Sequence, residues 1–151
     1  MRRLIAVSCF GTMTLLATAV FPNDAAAQTN TTQAAARGVN VAIDIRCLPG
    51  NGVQFSLAPW TAQLQQGDSI AWVLNQDANV PEITVSSKQD AWPFLEGPPY
   101  KGKAGKAPKA KGMKANLKVG DRFAYAVTAV CTRADGSTSS VIIDPDMIII
   151  R

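Results

Sequence analysis

Three groups of side chains in this 151-residue chain have the types and spacing to do chemistry. They are a cysteine pair far apart in sequence, a run of seven lysines without an acid, and a scatter of carboxylates. The chain contains no histidine. That excludes Ser-His-Asp and Cys-His nucleophile systems, a histidine general base, and any zinc, copper or haem site built on imidazole. No phosphate-cradling glycine loop, Cys-x-x-Cys pair or dinucleotide fingerprint occurs. The carboxylates Asp77, Glu82, Asp90, Asp144 and Asp146 could offer oxygen ligands to Ca²⁺, but they lack EF-hand spacing, and Asp beside Pro, Gly or Asn serves turns. No pair of acids identifies itself as glycosidase machinery.

Residues 1–27 read as an address. Arg2 and Arg3 precede an apolar stretch, Leu4 to Val20, and Ala25-Ala26-Ala27 offers a small-residue cleavage site before Gln28. This is the pattern of a secretory signal peptide, with a retained membrane anchor as the competing reading. Cleavage leaves one domain, no transmembrane segment, and a periplasmic or secreted location. Residues 28–38 are small and polar and read as a disordered lead-in to a domain over 39–151.

Once the leader is removed, Cys47 and Cys131 are the only cysteines. An even count in an exported chain favours a disulfide. Val39, Val41, Ile43 and Ile45 alternate with Asn40, Ala42, Asp44 and Arg46, so Cys47 falls on the apolar face of a strand. Phe123, Tyr125 and Val127 place Cys131 on a second such face. Both sulfurs therefore point toward a core, and a structural disulfide is expected rather than a redox pair.

The elements that must position these groups are short strands. Alternation marks Val53 to Leu57, Ala62 to Leu64 and Ile83 to Val85, and Ile70 to Leu74 is nearly all apolar, as in a central strand. Turn signals stand at Leu48 to Gly52, Gly67-Asp68, Asn75 to Asn79 and Ala134 to Ser137. Val141 to Ile143 and Met147 to Ile150 complete the set. No stretch beyond the leader has a sustained helical period, so the fold class is all-β, a sandwich.

Residues 97–118 break the pattern with Lys101, Lys103, Lys106, Lys109, Lys111, Lys114 and Lys118 among Gly, Ala and Pro. Such composition predicts a long, flexible Lys-rich loop. Acidic residues outnumber basic ones in the rest of the chain. The loop is a candidate for contact with an anionic envelope component or an acidic protein partner. A solvated insert that keeps the domain monomeric is the plain alternative. Nucleic acid is disfavoured, because Tyr100 is the one aromatic available there for base stacking. Trp92, Phe94 and Tyr100 are candidates for a hydrophobic groove, with core packing as the competing role.

The stretch from Leu64 through Gly67-Asp68 and Trp72 to Asn75 is similar to a segment of the cupredoxins, the plastocyanin and azurin type of β-sandwich. Tyr125 to Cys131 resembles their penultimate strand, and Val141 to Asp144 their closing strand. The resemblance implies a Greek-key sandwich. In copper-binding members it would also imply two histidines, a cysteine and often a methionine. Gln76 to Glu82 and Thr132 to Ala134 stand where the histidines would be, and Cys131 alone carries over. The chain therefore resembles a copperless exported bacterial form, sharing Trp92-Pro93-Phe94 and Asp144-Pro145-Asp146. The resemblance implies the scaffold only, since a fold does not fix a function, and the function expected is non-enzymatic binding or structure without a cofactor. The alternatives are a copper electron-transfer protein with an atypical site and an enzyme using carboxylates or lysine.

Overall fold

A computed structural model describes residues 35–151. The leader expected over 1–27 and most of the lead-in lie outside the described residues. The described chain forms β1 (Gly38–Cys47), a short 3-10 turn (Pro49–Asn51), β2 (Val53–Ala58), β3 (Thr61–Leu64), β4 (Ser69–Leu74) and β5 (Ile83–Ser87). These are followed by β6 (Tyr100–Gly102), β7 (Lys109–Ala110), β8 (Arg122–Thr132), β9 (Thr138–Ile143) and β10 (Asp146–Ile149). Among the described residues, no helix is long and apolar enough to cross a membrane.

The strands make two mixed sheets, as all-β patterning requires. The four-stranded sheet has the order β2-β1-β4-β7. The six-stranded sheet has the order β3-β10-β8-β5-β6, with β9 paired to β8 above β10. Most neighbours are antiparallel, but β1 runs parallel to β4 and β3 runs parallel to β10. The period of two in the sequence is what builds the core. Val41, Ile43 and Ile45 of β1 face inward, and so do Phe123, Tyr125, Val127, Ala129 and Cys131 of β8. Trp72 is wholly buried on β4 and meets Tyr125 edge to face, with ring centroids 5.7 Å apart. Burial pushes the Tyr125 hydroxyl up to about 12, opposed by the Trp72 indole N–H and reinforced by the charge of Asp146. The group stays neutral across ordinary pH.

β2 departs from expectation. Val53, Phe55 and Leu57 share the inward face opposite Cys47, Ile45 and Ile43. Yet β2 is an edge strand that overhangs the core, and Phe55 is 49% exposed. Alternation identifies the face of a strand, but not how far the opposing sheet reaches over it.

The domain also begins earlier than residue 39. Gly38 opens β1, and the Arg37 carbonyl accepts a hydrogen bond from Ser69 N. Arg37 is anchored by Asp68, the one buried charged side chain among the described residues. The Asp68 carboxylate accepts from Arg37 N at 2.9 Å, Arg37 Nε at 2.8 Å and Gln65 N at 2.8 Å. A carboxylate that closes a turn and receives three donors can be buried without neutralising.

Candidate functional site

The lysine segment is the first surface to test against the fold, and it is not a free loop. β6 pairs with β5 at the edge of the six-stranded sheet, with Lys101 opposite Thr84. β7 pairs with β4 at the edge of the four-stranded sheet, with Lys109 opposite Ala71. Lys103 and Lys106 close a tight turn between them through reciprocal backbone hydrogen bonds of 3.2 and 2.9 Å. Phe94 and Met113 form a further bridge. The expected flexible insertion is therefore a strap that ties one sheet to the other. The composition hid this because two- and three-residue strands leave no alternation long enough to read.

The strap alternates small buried residues with outward lysines. Tyr100, Gly102, Pro108 and Ala110 are buried, while Lys101, Lys103, Lys106, Lys109, Lys111 and Lys118 are exposed and Lys114 is half-buried. Lys101 lies 3.9 Å from Glu82. Among the described residues, the other six lysines have no acidic partner within ion-pair distance. Cation repulsion along the strap is thus left to solvent and salt.

Gly102 sets how closely the strap folds. A Cβ there would overlap the Pro108 ring, lying 2.7 Å from Cγ, and would sit 3.0 Å from the Lys106 carbonyl oxygen. Pro108 in turn offers its carbonyl to Trp72 N at 3.1 Å. Gly102→Ala is expected to cost about 1–3 kcal/mol by overpacking. Amide exchange should also accelerate selectively over 100–110. Exchange that rises uniformly over the domain would show that the strap and sheets open as one unit.

The expected groove of Trp92, Phe94 and Tyr100 is not formed, because the three rings pack into the core. Trp92 is 5% exposed, Phe94 1% and Tyr100 8%. Tyr100 stacks on Trp72 at 5.5 Å, and Trp92 lies 6.1 Å from both Phe94 and Tyr100. Trp92 Nε1 donates to the Tyr100 hydroxyl at 3.1 Å, and that hydroxyl donates to the Glu96 carbonyl. Burial raises the pKa of Tyr100 despite the opposing Trp92 N–H, with Glu96 adding to the rise. Aromatic side chains with polar tips commonly end this way when a neighbour satisfies the tip. Trp92 also lines a shallow cavity of about 360 Å³ beside Gln89, Lys114 and Arg122.

Cys47 and Cys131 form a disulfide, with Cα atoms 5.7 Å apart. It joins the end of β1 to the end of β8 and so joins the two sheets. Asn79 clamps the same point, accepting from Cys47 N at 2.7 Å and donating to Cys47 O at 2.8 Å. Because Cys131 Sγ is bonded to Cys47 and the chain has no histidine, the donors of a thiolate-imidazole copper site are missing. The carboxylates do not assemble either. Glu82 faces Lys101, Asp144 lies 2.8 Å from Lys88 and Asp146 2.7 Å from Arg122. Among the described residues, no three His, Cys, Asp or Glu side chains gather as a metal site.

No protein-family model matches the chain, and no curated protein matches it in sequence. The reading of function therefore rests on the residues and their geometry.

Two features were missed by the sequence reading. Asp68 was legible only as half of a Gly-Asp turn, and its role needs Arg37 from a segment assigned to the lead-in. A cavity of about 470 Å³ opens beside the disulfide, lined by the turn after β1 and the turn between β8 and β9. Neither turn carries a motif, and what brings them together is the Cys47–Cys131 bond.

Proposed function

We propose that this chain is an exported, non-enzymatic binding or structural module on a cupredoxin-like scaffold that lacks the copper ligands, and that its lysine strap contacts an anionic envelope component or an acidic partner. The single observation that carries this is the strap itself. Among the described residues, six of its lysines have no acidic partner; Lys103, Lys106 and Lys109 stand on backbone held at both ends by sheet pairing, and Lys111, Lys114 and Lys118 follow it. A strap of this kind loses less conformational entropy on binding than a free loop would. The scaffold assignment is supported by the placement of the segments that carry the resemblance. Leu64 to Asn75 covers β4, beside β1, and Tyr125 to Cys131 lies in β8, beside the closing β9 and β10.

Heparin serves as the test polyanion. Binding is expected to weaken steeply with salt, as released counterions require. The quadruple variant Lys103→Gln, Lys106→Gln, Lys109→Gln and Lys111→Gln should weaken binding at least about tenfold and flatten the salt dependence. All four side chains are exposed, so thermal unfolding should change little. Equal affinity of the variant and the parent at every salt concentration would refute the proposal.

A further inference from the structure

The cavity at the disulfide pole combines apolar walls with one uncompensated cation. Leu48, Pro49 and Val53 wall one side, the disulfide lies beneath, and Arg133 belongs to the opposite turn. Both walls are fixed. Leu48 N donates to Gly52 O at 2.8 Å across a turn that needs Gly50 at φ 70°. Arg133 N donates to Ser137 O at 2.8 Å, and Gly136 N donates back to Arg133 O at 3.0 Å.

The Arg133 guanidinium is held in place but not neutralised. Its Nη1 donates to Ser137 Oγ at 3.1 Å, and its Nε is buried without an acceptor among the described residues. Among the described residues, no carboxylate lies within ion-pair distance of it. Asp135, in the same turn, also lines the cavity, and its carboxylate meets Ser137 rather than the guanidinium. Its Oδ1 accepts from Ser137 N at 2.9 Å and from Ser137 Oγ at 2.6 Å. These bonds hold its carboxyl below the ordinary value. A partly desolvated guanidinium short of acceptors gains from an anion on its open side. The apolar wall beside it gains from a hydrocarbon. The volume lies within the range of ordinary small-molecule sites.

We infer that this cavity binds a small amphiphilic monocarboxylate, with the carboxylate on the Arg133 guanidinium and the apolar chain along Leu48, Pro49 and Val53 over the Cys47–Cys131 disulfide. The site is separate from the lysine strap. Lysine-strap variants leave it unchanged.

Octanoate is the probe, with octanol and acetate as controls, followed by backbone amide NMR on the oxidised protein. Octanoate should produce saturable shifts at Leu48–Gly52 and at Thr132–Ser139. Each control should bind at least about tenfold more weakly, since each lacks one half of the recognition. Arg133→Met should weaken octanoate at least about tenfold, while Asp135→Asn, which removes the like charge and retains an amide oxygen for Ser137, should tighten it severalfold. If Arg133→Met does not fold, Asp135→Asn decides, with tightening supporting the site and unchanged affinity overturning it. Absence of saturable shifts at these amides, shifts confined to the lysine strap, or equal affinity of Arg133→Met and the parent would each overturn the inference.

Discussion

Replacing Cys47 and Cys131 together with alanine is expected to lower stability by about 4–5 kcal/mol, the largest single effect available in this domain. The bond closes a loop with a sequence separation of 84, so its loss frees a large part of the unfolded chain. The native side contributes in the same direction. Cys131 is 3% exposed, and its truncation leaves a small void under the cavity wall. Urea unfolding checks both parts. The midpoint should fall, and the slope should rise because the uncrosslinked chain exposes more surface. Reductant should reproduce the loss in the parent protein and do nothing to the double variant. A loss below about 1 kcal/mol would mean that packing alone holds the sheets together at this pole.

Asp68→Ala is expected to cost about 2–3 kcal/mol, because it strands the backbone N–H groups of Arg37 and Gln65 in a part-buried turn. The expected loss sits at the lower end for broken buried pairs, since Arg37 remains 46% exposed and can return to water. Burial alone would raise the Asp68 pKa, but the Arg37 side-chain bond, the two backbone donors and the Arg37 charge together bring it below the ordinary value of 3.8. A carboxyl whose pKa is lower in the fold contributes stability above its unfolded pKa. That contribution disappears as pH falls through the folded value, so protonation of Asp68 helps drive acid unfolding below about pH 4. Asp68→Asn should therefore flatten the acid limb of stability against pH, measured by urea midpoints from about pH 6 down to about pH 2.5. An unchanged acid limb would show that other carboxylates, Asp135 among them, set the acid response.

The strands were largely readable because the core is built on period-two alternation. Val41, Ile43 and Ile45, and likewise Phe123, Tyr125 and Val127, announce buried faces in any context that covers one side of a sheet. The disulfide was readable for the same reason, since both cysteines continue those faces. Pairing partners were not readable, because the parallel β1/β4 and β3/β10 contacts depend on chain path rather than on local pattern. The lysine strap was misread as flexible. Its structure is carried by Gly102 against Pro108 and by Ala110 under the sheet edge, residues whose composition elsewhere signals a linker. Trp92, Phe94 and Tyr100 were ambiguous between core and groove until their mutual stacking closed them off. The Arg133 cavity had no local signature at all, because its two walls lie on turns far apart in sequence.

The strap also bears on resistance to proteolysis. A lysine-dense surface supplies many cleavage points for basic-specific proteases, which require several residues of extended, unpaired backbone. Over 100–110 that backbone is committed to β5, to β4 and to its own turn. Density of cutting sites is thereby separated from ease of cutting. Lys114 is held as well, its N–H donating to Pro93 O and its carbonyl accepting from Gln66 Nε2, so exposure to digestion falls to 115–119, where Lys118 stands.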